Sequence, residues 1–148
     1  MIIVASDHAG VETRDTLFNY IKDRGFDVKL CILDSDDVDY TDYALSVCES
    51  VISEECDKGI LICGSGIGMS IAANKVPGIR AAVCHSVYTA KMSREHNDAN
   101  VLCIGARILS IEECKDIIDV WLATDFEGGR HTKRLDKVKA IQDKFLCK

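Results

Sequence analysis

Short apolar runs alternate with helical patterns along this chain of 148 residues. Five of the runs are rich in Val, Ile and Leu and have the length of buried β-strands. They cover residues 2–5, 28–33, 60–63, 81–84 and 101–105. Strands that alternate with helices form a mostly parallel sheet with helices on both faces. The pattern therefore predicts an α/β fold, a three-layer α/β/α sandwich with a five-stranded parallel, Rossmann-like sheet.

Capping residues mark where several of the helices begin and end. Gly25 follows the first helical pattern and is a typical C-terminal cap. Thr41 or Asp42 is the expected N-cap of the second helix, and Ser110 with Glu113 has the spacing of a capping box that opens a helix to about residue 122. A terminal helix is predicted by an apolar stripe made of Leu135, Val138, Ile141 and Phe145.

The composition is that of one globular domain over residues 1–148. Hydrophobic residues make up 47% of the chain and charged residues 28%, which suits a globular protein with a sizeable core. No apolar run approaches the roughly 20 residues of a membrane span, and residues 1–8 lack the pattern of a signal peptide. The net charge of −6 gives no support for nucleic-acid binding. We therefore expect neither a membrane nor a nucleic acid as partner.

The distribution of the eight cysteines does not resemble a disulfide or zinc framework. They stand at positions 31, 48, 56, 63, 84, 103, 114 and 147, without any Cys-x-x-Cys pair. Cys31, Cys84 and Cys103 lie in apolar runs, where a free cysteine behaves as a small buried hydrophobic residue. This usage indicates a reducing, cytoplasmic compartment, and the spacing of His, Cys and carboxylate residues predicts no metal site.

One cysteine, Cys63, is followed directly by the glycine-rich segment Gly64-Ser-Gly-Ile-Gly68. Glycines let a ligand approach the main chain closely, and successive free N–H groups before a helix bind phosphate or a developing oxyanion. The same positive potential favours the thiolate of Cys63, which makes it a candidate base or nucleophile. The spacing matches neither a P-loop nor the dinucleotide fingerprint, whose third glycine would stand at Met69. A plain strand-to-helix turn with a buried cysteine is the alternative.

A second group of polar residues follows the first predicted strand, in the segment Ser6-Asp-His-Ala-Gly10. Ligands of parallel α/β sheets bind beyond the carboxyl ends of the strands, where the strand order reverses. If strands two and three lie on opposite sides of strand one, the reversal falls between strands one and three. Asp7, His8, Cys63 and the glycine loop would then meet in one crevice.

Several other polar residues have both a functional and a structural interpretation. Arg130 and Arg134 are four positions apart, hence on one helix face, and a pair of guanidinium groups suits a phosphate dianion. A solvated basic face is the alternative. Arg107 follows strand five at the ligand end of the sheet, but it also suits a surface ion pair. A lone His96 is commonly a surface or capping residue, and Tyr40 is a packing residue unless its loop folds over the crevice.

The motifs, taken together, resemble the type B ribose-5-phosphate isomerases. The matching segments are residues 6–10, 39–40, 61–68, 71–75, 94–98, 105–107 and 127–131, with Arg134. They follow one another in family order over almost the whole chain. The same family holds galactose-6-phosphate and allose-6-phosphate isomerases. The resemblance implies an intramolecular oxidoreductase that interconverts ribose 5-phosphate and ribulose 5-phosphate through a cis-enediolate, without metal or cofactor.

The resemblance also implies a role for each matching residue. Cys63 resembles the base of the family, and Met69 stands where another branch carries a glutamate base. The enediolate would be bound by the Ser65 hydroxyl and by the N–H groups of Gly64, Ser65, Gly66, Ile67 and Gly68. His96 resembles the residue that opens the furanose ring, helped by Asp7. The phosphate ligands would be His8, Arg107, Arg130 and Arg134, and the sugar hydroxyl ligands would be Tyr40 and Asn97.

The family also implies a homodimer with shared active sites, while pairing of dimers into a tetramer stays open. His96 precedes strand five, at the amino edge of the sheet, whereas Cys63 ends a strand at the carboxyl edge. We therefore expect His96 and Asn97 to complete the site of the neighbouring subunit. Two other functions remain. The chain could act on a hexose 6-phosphate, or it could be a non-catalytic sugar-phosphate-binding regulator, which would be expected to lack Cys63 or His96.

Overall fold

Five parallel strands form the centre of the molecule. The computed structural model describes residues 1–146, so that Cys147 lies outside the described residues. The strands are β1 (Ile2–Ser6), β2 (Val28–Leu30), β3 (Lys58–Cys63), β4 (Ala81–Val83) and β5 (Val101–Gly105). They pair in the order β2-β1-β3-β5-β4, and every pair is parallel. The predicted sheet is confirmed, and its order reverses between β1 and β3.

Helices cover both faces of the sheet. They are α1 (Val11–Asp23), α2 (Tyr40–Ile52), α3 (Ile67–Ala73), α4 (Val87–Glu95), α5 (Ile111–Ala123) and α6 (Arg130–Leu146), and a 3₁₀ turn (His8–Gly10) precedes α1. Alternate strand residues point to opposite faces. Ile3 and Leu61 therefore pack against α2 and α3, whereas Val4 and Ile60 pack against α1, α4 and α5. The three-layer sandwich is confirmed, and each face has its own apolar core.

The two edge strands are shorter than the sequence predicted. β2 ends at Leu30 and β4 ends at Val83, so Cys31 and Cys84 lie just beyond them. Each of these strands has a partner on one side only and ends before it, since β1 continues to Ser6 and β5 continues to Gly105. The Cys31 amide still donates to the carbonyl of Val4, at 2.8 Å.

The helix caps agree with the sequence in two places and differ in a third. Gly25 follows α1 with a φ of +86°, and Ser110 forms the predicted capping box with Glu113. The predicted N-cap of α2 at Thr41 or Asp42 is wrong, because Asp39 caps that helix. The Asp39 carboxylate accepts the Thr41 amide at 2.7 Å, and Asp42 accepts the Asp39 amide at 2.9 Å. Asp42 is thus the reciprocal partner in a capping box.

The apolar stripe of α6 is largely uncovered within one chain. Val138, Ile141 and Phe145 are 53%, 63% and 62% exposed. The helix is joined to the rest of the chain by a hydrogen bond from the Gly78 amide to the Gln142 side chain, at 3.1 Å. Within residues 1–146, no helix combines the length and the apolar character that crossing a membrane requires.

Candidate active site

A cleft lies where β1 and β3 end side by side, at the reversal of the strand order. Its volume is about 470 Å³, which falls in the range of small-molecule sites. The residues that line it are Asp7, His8, Ala9, Tyr40, Cys63, Gly64, Ser65, Gly68, Arg107 and Ile108. The predicted crevice between strands one and three is therefore present, and it contains the acid, the imidazole, the thiol and the glycine loop.

Cys63 is the last residue of β3, and the loop that follows it donates a hydrogen bond to its sulfur. Its side chain is 6% exposed, and its sulfur accepts a hydrogen bond from the Gly66 amide at 3.2 Å. The loop therefore directs a backbone N–H at the thiol. Gly66 has a φ of +76°, and a Cβ at this position would lie 3.1 Å from the backbone of Ile104. A glycine is therefore required to bring this amide to the sulfur.

The rest of the loop presents polar groups towards the cleft. The Ser65 hydroxyl accepts a hydrogen bond from the Ile67 amide, at 3.3 Å. The ring of Tyr40 lies over Gly68, where an added Cβ would be 3.0 Å from the ring. Tyr40 therefore packs on the loop and also lines the cleft, so that it is both a packing residue and a candidate site residue. Ile67 begins α3 and is 53% exposed.

The cleft is also lined by Asp7 and His8, which follow β1, and by Arg107, which follows β5. Asp7 is 9% exposed, and its carboxylate accepts the Ala9 amide at 2.9 Å. The Arg107 amide donates to the carbonyl of Gly64 at 3.0 Å, and its exposed side chain lies along the glycine loop. His8 is exposed at the rim. A guanidinium and an imidazole that line the same cleft suit a phosphate group.

Gly105 supports the loop from behind and provides a direct test of its geometry. A Cβ at this position would lie 2.9 Å from the backbone carbonyl carbon and oxygen of Ser65. We expect Gly105→Ala to displace the loop and lower kcat by roughly 10- to 100-fold, because small misplacements of reacting groups are costly. The rate should be measured with circular dichroism on the same sample. A kcat within twofold of the parent, with an intact fold, would show that the loop position is not critical.

Four of the predicted site residues lie away from this cleft. His96 is the C-cap of α4, and Asn97 follows it, close to the amino ends of β4 and β5. Arg130 and Arg134 lie on the first turns of α6. In the β3–β5 ladder Gly59 pairs with Val101 and Cys63 pairs with Gly105, and these four steps span roughly 13 Å. The predicted residues therefore form two groups, one at the carboxyl ends of the strands and one at the amino ends.

The segment that carries His96 and Asn97 is fixed by partly buried ion pairs that the sequence did not predict. The Asp98 carboxylate accepts hydrogen bonds from Arg94 at 2.9 Å and from Arg80 at 3.0 Å. Arg94 is 7% exposed and also donates to the carbonyl of Ala99. This network holds the turn rigid, although its spacing in the sequence contains no distinctive signal.

His131 is a further residue near His96 that the sequence analysis did not single out. The two rings are stacked, with centroids 4.2 Å apart and an angle of 13° between their planes. His131 Nε2 lies 3.3 Å from Glu127 Oε2 and accepts a hydrogen bond from Arg130 Nε at 3.4 Å. Burial lowers the pKa of His131 below its ordinary value, and the neighbouring His96 and Arg130 lower it further. His131 is therefore neutral at neutral pH.

His96, Glu127 and His131 together could hold a metal ion. Their ligand atoms all lie within 4.8 Å of one another. The sequence predicts no metal site, because His96 belongs to a different segment from Glu127 and His131 and no short spacing joins the three. The four-residue spacing of Glu127 and His131 was the available signal.

Comparison with known proteins places the chain in a family. A family model described as Ribose/Galactose Isomerase matches residues 2–138. The chain belongs to the ribose/galactose isomerase family. It is 43% identical to ribose-5-phosphate isomerase B of Escherichia coli, over 97% of each chain. The resemblance to this family that the motifs predicted is confirmed.

Solved structures of the ribose/galactose isomerase family share the fold. Ribose-5-phosphate isomerase B of Clostridium thermocellum is 49% identical, with a TM-score of 0.93 over 97% of this chain and 98% of that one. Ribose-5-phosphate isomerase B of Mycoplasma genitalium, solved with bound ribulose-5-phosphate, is 38% identical, with a TM-score of 0.89 over 96% and 95%.

Proposed function

We propose that this protein interconverts ribose 5-phosphate and ribulose 5-phosphate. The observation that carries the proposal is the Cys63 sulfur beside the amides and the hydroxyl of the glycine loop, in a cleft of about 470 Å³. That arrangement supplies a base and a site for developing negative charge. The ribose-5-phosphate isomerases B of Escherichia coli and Mycoplasma genitalium, both similar to this chain, support the same pentose phosphate.

In the proposed reaction one group moves a proton between adjacent sugar carbons. The Cys63 thiolate removes the proton from C2 of the open-chain aldose, the electron pair forms a C1–C2 double bond, and O1 becomes anionic. The loop amides and Ser65 stabilise this enediolate. The thiol then returns the proton to C1 while the 2-hydroxyl proton passes to O1, which leaves a ketone at C2. Met69, fully buried on α3, carries no group that takes a proton.

The second group of residues is proposed to act across a subunit interface. His96, with Asp7, would open the furanose ring, and Asn97 and Tyr40 would bind sugar hydroxyls. The phosphate ligands would be His8, Arg107, Arg130 and Arg134. Separation of the two groups by roughly 13 Å along the sheet supports contribution from two chains.

A homodimer is therefore part of the proposal. The uncovered apolar face of α6, with Val138 and Ile141, provides a surface that a second copy can bury. This helix begins with Arg130, beside His131 and His96, so that docking near it would bring these residues to a neighbouring cleft. The step from dimer to tetramer stays open.

The cytoplasm is the proposed compartment, and the thiols support it. All seven cysteines within residues 1–146 are free and buried. Burial raises the pKa of Cys48 to about 12 and that of Cys114 to about 11, and it raises the pKa of Cys103 well above its ordinary value. Protonated, buried thiols of this kind fit a reducing environment.

The direct test is an isomerase assay of the purified protein with aldose phosphates of different length. Ribose 5-phosphate is expected to be converted with a kcat/KM at least about tenfold above that of galactose 6-phosphate or allose 6-phosphate, a margin of about 1.4 kcal/mol. A preference for a hexose phosphate would contradict the proposed substrate but not the family. Binding without turnover of any sugar phosphate would instead favour a regulator.

Activity is expected to survive removal of divalent metal ions. The loop amides already provide a sink for the enediolate charge, so that the proposed steps need no Lewis acid. The measurement is the rate with ribose 5-phosphate before and after dialysis against a chelator. If activity disappeared and returned with a divalent ion, the mechanism proposed above would have to be replaced by a metal-assisted one.

A further inference from the structure

The cluster of His96, Glu127 and His131 has the donor set of a transition-metal site. Two imidazole nitrogens and one carboxylate oxygen are the ligands that zinc takes in many His₂Glu centres. His131 is 2% exposed and fixed in the first turn of α6, whereas the Glu127 side chain is half-exposed on the preceding loop. The cluster is thus anchored on one side and open to solvent on the other.

We propose that His96, Glu127 and His131 bind a Zn²⁺ ion that reversibly inhibits the enzyme. The metal-binding part of this proposal stands on the geometry alone, and the inhibition rests on the proposed function of His96. Zinc bound here would coordinate the His96 imidazole and prevent it from opening the sugar ring, its proposed role.

The distances support coordination of one ion. Ligand atoms at 2.0–2.2 Å from a tetrahedral zinc ion lie roughly 3.3 Å apart. His131 Nε2 and Glu127 Oε2 are already 3.3 Å apart. The stacked ring of His96, half-buried at the end of α4, must tilt to aim its lone pair at the same ion. The fourth position then faces solvent.

The neighbouring positive charges of Arg130 and Arg134 oppose the metal and keep the site weak. Arg130 donates to His131 Nε2 at 3.4 Å, and this hydrogen bond must be released before the nitrogen binds zinc. The carboxylate of Glu127 offsets part of the repulsion. Because Arg130 is also a proposed phosphate ligand, bound sugar phosphate and bound zinc would compete. The site therefore suits reversible inhibition better than permanent structural zinc.

Cobalt binding tests the site without any need for activity. The probe is Co²⁺ added at pH 7.5 to the Cys63→Ala protein, in which the thiol that lines the cleft is absent. We expect one equivalent of Co²⁺ per chain, with the visible absorption bands of nitrogen and oxygen ligands, displaced by Zn²⁺. Glu127→Gln and His131→Gln should each weaken binding at least about tenfold, since even the loss of an outer ligand partner costs that much.

The control is Asp136→Asn, which removes the same charge from an exposed position of α6 and should bind cobalt normally. A sulfur-to-cobalt charge-transfer band would overturn the proposal, because it would place the metal on cysteines. Unchanged binding in both Glu127→Gln and His131→Gln would overturn it as well.

The inhibition is tested separately, with Zn²⁺ added to the active protein. Ribose 5-phosphate should protect against inhibition, and a chelator should restore the rate. Each variant is compared with its own rate without metal, and Glu127→Gln should need at least about tenfold more zinc for half inhibition. Cobalt binding without inhibition would confirm the site and contradict its effect on His96. Absence of isomerase activity in the untreated protein would contradict the proposed function and leave the cobalt result valid.

Discussion

Replacement of Cys63 by alanine is expected to lower the rate of ribose 5-phosphate isomerisation by roughly 10²- to 10⁴-fold. The thiol is proposed to carry the proton in both halves of the reaction, and the buried Met69 beside it cannot substitute. Sugar phosphate binding should persist, because the loop amides and the cationic side chains remain. The measurement is the rate of conversion, together with the dissociation constant of a non-reacting substrate analogue.

Cys103→Ala is the matched control, since Cys103 is fully buried in the strand next to Cys63. Loss of its sulfur leaves a small cavity, so the free energy of unfolding should fall by about 1–2 kcal/mol while turnover stays close to normal. Hydrogen exchange at C1 of ribulose 5-phosphate in D₂O isolates the proton transfer. It should be absent in Cys63→Ala and should persist in His96→Ala, whose proposed defect is in ring opening. Near-normal turnover of Cys63→Ala would falsify the assignment of the base.

Mixing two inactive proteins, Cys63→Ala and His96→Ala, is expected to restore activity after their subunits exchange. Each site is proposed to take its thiol from one chain and its ring-opening imidazole from the other. In a mixed dimer one site contains both substitutions, and the other contains neither. With random exchange of equal amounts, half of the dimers are mixed, so the recovered activity should be about a quarter of the parent value.

Subunit exchange must be shown independently, for example by mass spectrometry of an isotopically labelled partner. The separate proteins, incubated alone under the same conditions, give the baseline. If exchange is complete and no activity returns, Cys63 and His96 belong to one chain's site. The connection from His96 into β5 would then have to rearrange along the sheet to reach the cleft.

The fold could be predicted from the sequence because its signals are local. Each strand is a short apolar run, and the reversal between β1 and β3 places Asp7 and Cys63 in one cleft, as expected. The sequence predicts β2 and β4 to be longer than they are, because an apolar run does not show whether a strand has one neighbour or two. The cap of α2 was misplaced because Asp39 and Asp42 both suit an N-cap, and only the reciprocal hydrogen bonds distinguish them.

The candidate site was less predictable where it depends on packing between distant segments. The stack of His96 on His131 joins the end of α4 to the start of α6, and no spacing in the sequence predicts this contact. The partly buried pairing of Arg94 with Asp98 likewise resembles an ordinary surface pair in the sequence. The exposed apolar face of α6 was visible as a stripe, but a stripe does not show whether its partner lies in the same chain.

The position of β5 between β3 and β4 has a consequence for synthesis of the protein. β4 leaves the ribosome first, yet it pairs with β5 in the sheet. Gly66 also lies against the backbone of Ile104, so the glycine loop gains this contact only when the same strand arrives. We expect a ribosome-bound chain that stops before residue 101 to hold β2, β1 and β3 with an open edge, and to be cut by protease within residues 64–100. Emergence of β5 would then fix the edge strand and the glycine loop in one event.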